Sequence, residues 1–454
     1  MHNTLITLLF ILSLSTKAAT IGLLDTGVDS LHPWLKNNLW RNYVERQNSR
    51  DDDLNGYIDD LDGWNFIKMD SSTFMENERG MFDNRFKKYY EVRAKRTLDQ
   101  SSEQEDKWYK KIRKDDEFME RMKIFRRFIH GTHVAGVASG AAHNVNNRPD
   151  KEISILPVIY LGDAKSGPAV EPEFSPLKSG SRSEKVKHVI NFIKTFSTWQ
   201  KSKLKLAIKY VAPHVQIING SFGTSPKTTF SKLEKWYEEQ FPKEKIPEDF
   251  QQKYGIQFAH SLVEITEELC SEFPDLLMVF SAGNSKDDND KLPHYPSNAR
   301  CENAISVAAH DNENSLAYFS NFGTKTVDVM APGYAIVSSV PDYGTFQVNG
   351  TSQAAPYVSN LAAKIYNNLP RNLRTPSIVK KIITHTANKS DLIKYGPINL
   401  SRALYVSKKV KSPKMLNYYI TKSFDTYPSN LEYLSKKKHI TKNEILSEEL
   451  FSDL

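Results

Sequence analysis

The sequence predicts an α/β fold: a mainly parallel central sheet with helices on both faces. Three observations carry this. Five short runs, at 20–25, 153–161, 215–221, 276–284 and 304–310, are β-rich and almost continuously apolar, as strands buried on both faces are. Helical patterns ("HGTHVAGVASGA", "KLKLAIKYVAP", "FAHSLVEITEELCSEF") alternate with them, and that alternation builds parallel sheets. The composition, 39% hydrophobic and 25% charged over 454 residues, is that of a globular chain able to bury a large core.

The chain opens on "MHNTLITLLFILSLSTKAAT", apolar from Leu5 to Leu14 apart from Thr7 and Ser13. The run is too short to span a bilayer and has the length of a signal-peptide core. Thr16-Lys17-Ala18 supplies small residues for cleavage after Ala18, although no Lys or Arg precedes the run. Residues 1–18 are therefore read as a signal peptide, the mature protein as secreted or periplasmic, with no membrane span. A catalytic domain is expected over 19–404. Two segments interrupt its rhythm. Residues 68–128 are charged and aromatic, with Phe118, Met119, Met122, Phe125 and Ile129 at helical spacing. Residues 162–186 are rich in Gly, Pro, Ser and Lys and read as a surface loop. A Lys- and Tyr-rich extension, 405–454, follows.

The net charge of +7 sits at the periphery. Residues 87–127 hold 14 Lys/Arg against 9 Asp/Glu, and residues 405–454 hold 9 against 6, so the core is near neutral. Mixed charge of this kind marks solvated helix faces, and no nucleic-acid partner is expected. Cys270 and Cys301 are the only cysteines. They are read either as a disulfide or as two buried thiols.

Function is read from polar residues at the edges of apolar elements. Asp25 ends the first strand before Thr26-Gly27, His130 begins the small-residue helix "HGTHVAGVASG", and Ser352 begins another, "TSQAAPYV". Parallel α/β sheets place functional groups at strand carboxyl ends and at the starts of the following helices. A serine hydroxyl needs a base within reach. Histidine can accept that proton and return it, and a carboxylate fixes the tautomer of the histidine. The Ser352 N–H and the side chain of Asn284, just past a strand end, are candidate oxyanion donors. Pro356 falls early in its helix, where a missing N–H is expected to cost little. Singly, each polar residue fits a turn or a cap; jointly they outline a nucleophilic site.

These residues resemble the motifs of the subtilisin-like serine proteases, the subtilases. "LLDTGVD" (23–29) resembles the Asp motif, "HGTHVAGVASG" (130–140) the His motif, "FSAGNS" (280–285) the oxyanion-Asn motif and "NGTSQAAP" (349–356) the Ser motif. "INGSFG" (218–223) is similar to the substrate-binding strand. The resemblance implies a subtilisin-like three-layer fold and a serine endopeptidase acting on polypeptides without an organic cofactor. It makes Asp25 the orienting acid, His130 the base, Ser352 the nucleophile and Asn284 the oxyanion donor, with His133 a structural neighbour. Ser221, Phe222 and Gly223 would pair with an extended substrate, and Ser281, Ala282 and Gly283 would form the opposite wall of the specificity pocket. Small residues there imply a roomy slot for a large apolar or aromatic side chain before the scissile bond.

The chain departs from the family pattern at Gln353, where Met is usual, at Tyr357, where His is usual, and at Asn360, where Gly is usual. The Asp strand also follows the leader at once, where secreted members usually carry a pro-segment. These departures keep open a catalytically silent scaffold of the same fold. An esterase-like α/β hydrolase would show Ser before Asp before His and a G-x-S-x-G elbow, and this chain shows neither.

"DDDLNGYIDDLD" (51–62) has calcium-loop spacing. Asp51, Asp53, Asn55, Tyr57, Asp59 and Asp62 fall at positions 1, 3, 5, 7, 9 and 12, with Gly56 at the tight turn. Asp in place of Glu at the last position shortens the reach. The same residues also fit a solvated Asx turn feeding the strand "GWNFI". A structural calcium ion is one of these two readings.

Overall fold

The computed structural model describes residues 19–97, 99–144 and 146–428. The leader expected over 1–18 and the end of the chain from 429 lie outside the described residues.

An eight-stranded, all-parallel sheet forms the middle layer, in the order β10-β7-β6-β5-β4-β1-β3-β2. The strands are β1 (Ala19–Asp25), β2 (Trp64–Asn65), β3 (Ile153–Ile159), β4 (Ile217–Gly220), β5 (Leu277–Ser281), β6 (Ala304–His310), β7 (Val329–Pro332) and β10 (Gly396–Pro397). All five apolar runs are strands. β1, β4, β5 and β6 are buried along their whole length. Alternate side chains serve opposite layers, because successive strand residues point to opposite faces. Ile21 and Leu23 face one core with α7 (Thr351–Asn368), α8 (Pro376–His385), α9 (Leu400–Lys409) and α10 (Leu416–Thr426). Leu24, Leu156 and Ile218 face the other with α4 (Arg182–Val211), α5 (Pro226–Gln240) and α6 (Glu248–Glu272). Cys270 of α6 and Cys301, just before β6, are joined by a disulfide that ties this layer to the sheet. No helix among the described residues is long and apolar enough to cross a membrane.

Three expected boundaries are corrected. His130 does not begin a helix. It lies inside α3 (Asp116–Ala138), which starts where the Asp115 side chain accepts from Phe118 N at 3.0 Å. The loop expected to 186 ends at Ser181, whose side chain and that of Glu184 form a capping box on α4, so 182–186 are helical. A boundary at residue 404 falls inside α9. Val406, Val410, Leu416 and Ile420 beyond it belong to the main core, and Arg402 holds the carbonyls of Tyr427 and Pro428 at 2.6 Å.

The 68–128 segment has its own aromatic core. Phe86, Tyr89 and Tyr90 of α1 (Asn84–Thr97) and Tyr109 of α2 (Glu103–Ile112) pack with Phe118, Met122 and Phe125 of α3. The cluster continues into Phe346 and Val348 of an antiparallel hairpin, β8 (Ile336–Val340) and β9 (Gly344–Val348). The second half of α3 is made of small residues because it runs against backbone. A Cβ on Gly131 would lie 2.1 Å from Gly27 O, and one on Gly136 would lie 2.3 Å from the hydroxyls of Ser338 and Ser339. The hairpin thus grips α3, with Ser338 and Ser339 donating to the carbonyls of His133 and Thr132.

Candidate active site

β1 delivers Asp25 to the carboxyl edge of the sheet, and α3 passes beside it. His130 Nδ1 lies 2.5 Å from Asp25 Oδ1, with both side chains buried. Thr26 N donates to the same oxygen at 2.7 Å, and Thr26 Oγ1 accepts from Gly131 N at 3.1 Å. One threonine therefore locks the acid's loop to the histidine's helix. Asp25 Oδ2 is buried with no hydrogen-bond partner among the described residues, so His130 is the one other side chain besides Thr26 on this carboxylate.

Ser352 is the second residue of α7 and is buried. Its Oγ donates to Ser221 O at 3.2 Å, and its own carbonyl accepts from Ser221 Oγ at 2.9 Å. The second bond corrects the expectation for Pro356. A proline at 356 removes the donor that would reach Ser352 O four residues earlier, and the Ser221 hydroxyl takes its place. Asn284 is oriented by Thr351, whose N–H and Oγ1 both donate to Asn284 Oδ1, at 2.8 and 2.9 Å. A backbone N–H requires an acceptor, so the network fixes which end of the amide faces Thr351. Nδ2 is left on the side of Gly350, where a Cβ would lie 3.8 Å from it.

The departures on α7 each have a partner. Gln353 Nε2 is 3.5 Å from His133 Nδ1, Tyr357 packs its ring 4.4 Å from that of His143, and Asn360 donates to Ala138 O and Asp150 Oδ2, both at 3.0 Å. His133 faces away from Asp25, with Nε2 at 3.2 and 3.1 Å from Ile336 O and Phe346 O. Burial pushes its pKa down to about 3, and the Phe346 carbonyl only partly offsets this.

Past the sheet edge, β4 continues as Ser221-Phe222-Gly223 and β5 as Ala282-Gly283. Phe222 packs on Tyr160 at 5.0 Å. Gly223 makes no hydrogen bond among the described residues, so its N–H and C=O are open to an added strand. Ala282 and Gly283 are held by Val307 O, Asn289 and Thr351. The gap between the two segments is not the roomy slot expected. The His294 ring stands in it: a Cβ on Gly223 would lie 2.2 Å from His294 Cε1, and one on Gly283 would lie 2.7 Å from Nε2. His294 was not legible as a site residue in the sequence.

The acidic loop does not use its twelve-residue spacing. Carboxylate oxygens of Glu45, Asp51 and Asp53 converge within 4.8 Å of one another. Asp59 instead accepts from the N–H groups of Asn48 and Ser49 at 2.9–3.1 Å, and Asp62 lies 3.6 Å from Arg41. Asn55 Oδ1 is taken by Tyr57 N, and the Tyr57 ring packs on Trp64 and Tyr210. The turn around Glu45 explains the change: Glu45 accepts from the N–H groups of Asp52, Asp53 and Asp59 and folds the loop about itself.

A doubly covered parallel sheet, with Asp25, His130 and Ser352 on β1, α3 and α7, is the architecture of the subtilisin-like fold. The chain belongs to the subtilase family, whose model matches residues 16–417. It is 35% identical over 91 residues to subtilisin-like protease 2 of Plasmodium falciparum, covering 20% of this chain and 7% of that protein. It is 34% identical over 128 residues to a thermophilic serine proteinase of Bacillus sp. (strain AK1), covering 28% and 30%. The chain thus spans less than a third of either relative's length. Among solved structures, a cold-adapted subtilisin-like serine proteinase is similar at 18% identity, with a TM-score of 0.41, over 85% of this chain and 88% of that one.

Proposed function

We propose that the protein is an exported serine endopeptidase that cleaves polypeptides through Asp25, His130 and Ser352, with Asn284 serving the oxyanion. The observation that supports this most is the buried 2.5 Å contact between His130 Nδ1 and Asp25 Oδ1. A proton held on Nδ1 by the carboxylate leaves the Nε2 lone pair as the base. The Ser352 Oγ–H leaves the Ser221 carbonyl, its proton passes to Nε2, and Oγ bonds to the peptide carbon. The negative charge of Asp25 offsets the imidazolium. Asn284 Nδ2 and the Ser352 N–H donate to the oxyanion, in a site where such donors are worth several kcal/mol, about 2.7–4 for one removed. His130 then returns the proton to the leaving amine as the C–N bond breaks, and water repeats the sequence to release the acid.

The substrate would lie along Ser221–Gly223 as an added strand, and the free backbone of Gly223 supports this. A structural calcium ion belongs to the same reading, with Asp51 and Asp53 kept from the expected ligands and Glu45, which the spacing did not include, added to them. Their mutual repulsion is partly offset by the N–H donors on each carboxylate, and a cation among the three oxygens would offset it further.

A fluorophosphonate probe tests the nucleophile. Folded wild-type protein should be labelled at Ser352 and the Ser352→Ala variant should not. Folded wild-type protein that stays unlabelled would leave the silent scaffold as the better reading.

A further inference from the structure

We propose that His294 is a specificity-determining residue that closes the slot for the side chain preceding the scissile bond, so that the enzyme selects Gly, Ala or Ser there. This rests on the endopeptidase reading above.

Neighbouring parallel strands lie about 4.8 Å apart, so a side-chain slot exists between two of them only where they splay beyond the sheet. β4 and β5 are such neighbours, paired through Gly220 and Phe280, and their continuations reach Gly223 and Gly283. The edge of the His294 imidazole fills the space between these two glycines. Added methyl groups would meet it at 2.2 Å on one side and 2.7 Å on the other. At Gly223 the ring is the nearest group to an added Cβ, ahead of Tyr295 O at 2.7 Å; at Gly283 a Cβ would meet Asn321 Nδ2 at 2.5 Å as well as the ring, and φ of +107° itself favours glycine. A second wide side chain cannot enter beside the ring.

The ring is also pinned. Nδ1 lies 3.0 Å from Ser297 Oγ, and Asn298 N donates to the His294 carbonyl at 2.9 Å. The next residue, Tyr295, is bridged to Thr224 by two backbone bonds of 2.8 and 3.2 Å. The Tyr295 hydroxyl accepts from Gln200 at 3.0 Å, as does that of Tyr160. Swinging the ring out would break its bond to Ser297, while the backbone bonds on either side hold the segment that carries it. Burial pushes the His294 pKa down to about 4, so at neutral pH the floor carries no charge to recruit an acidic partner.

The test is a peptide series differing only at the residue before the scissile bond (Gly, Ala, Ser, Leu, Phe), cleaved by wild type, His294→Ala and His294→Asn. Fluorophosphonate labelling and a melting curve are run on each. The expected wild-type kcat/KM is at least about 10-fold higher for Ala than for Phe, and His294→Ala should shift that ratio toward Phe by about 10-fold or more. If His294→Ala fails to fold, His294→Asn, shorter yet able to bond Ser297, should shift the ratio in the same direction. Wild type that takes Phe as well as Ala overturns the proposal. So does a folded variant whose ratio stays within about 2-fold of wild type. Wild type that is folded but unlabelled overturns the endopeptidase reading itself, and the proposal with it.

Discussion

Ser221 and Ser352 are bonded to each other twice: Ser221 Oγ donates to Ser352 O at 2.9 Å, and Ser352 Oγ donates to Ser221 O at 3.2 Å. The first bond stands in for the helix bond that Pro356 cannot make. Ser221→Ala should leave a buried carbonyl unpaired and cost about 1–3 kcal/mol. In a Pro356→Ala background the restored N–H supplies the missing donor, and the same substitution should cost less than half as much. A double-mutant cycle by urea unfolding reads the difference; equal costs in both backgrounds would refute the substitution of hydroxyl for amide.

Arg79 ties the charged insertion to the site. Its guanidinium bonds both oxygens of buried Asp29, at 3.0 and 2.8 Å, and lies 3.5 Å from Asp342 in the β8–β9 turn. Asp29 N in turn donates to Thr132 Oγ1, two residues from His130. Arg79→Ala should destabilise by about 2–3 kcal/mol, below the range for a fully buried pair because Arg79 is a quarter exposed. Burial raises the Asp29 pKa, but the bonds and charge of Arg79 outweigh it and the net shift is downward. This contribution is therefore present above the unfolded pKa of about 4 and lost as pH falls through the folded value. Acid titration of the variant's melting temperature should show a shallower fall than wild type.

His133 and His294 give a second pH dependence of different range. Burial lowers their pKa values to about 3 and about 4, whereas an unfolded histidine titrates near 6.5, about the ordinary value. Between these limits the unfolded chain binds more protons, so stability rises with pH across that window and is level above it. Melting temperature should drop steadily from about pH 6.5 toward about pH 4. His133→Gln, which cannot charge, should reduce the slope.

For the carboxylate cluster, calcium should raise the melting temperature. A concentration of about 100 times Kd adds about 2.7 kcal/mol. Glu45→Gln and Asp51→Asn should remove the response, while Asp62→Asn should keep it. Equal melting temperatures with calcium and with chelator would exclude a stabilising ion.

The five strands could be read from the sequence because burial on both faces leaves nothing but apolar residues between Ile21 and Leu24 or between Leu277 and Phe280. The β8–β9 hairpin could not. Its buried Ser338 and Ser339 look like surface residues until α3 supplies the carbonyls they bond. The continuity of α3 was hidden because its two halves follow different rules. Phe118, Met122 and Phe125 show one apolar face, whereas His130–Ala138 are small and buried all round. The acidic spacing misled for a related reason: Glu45, six residues before the loop, organises it through three N–H groups. His294 lies ten residues beyond Asn284. Only the sheet order brings it between Gly223 and Gly283.

The central claim is that Ser352 and His130 act as one unit. The measurement is the initial rate of hydrolysis of an unfolded protein substrate by wild type, Ser352→Ala, His130→Ala and the double variant, each shown to be folded by its melting curve. Each single substitution should cost about 10⁶-fold, the order known for subtilisin, and the double variant no more than either alone. A folded Ser352→Ala variant that keeps the wild-type rate to within about 10-fold would contradict the account.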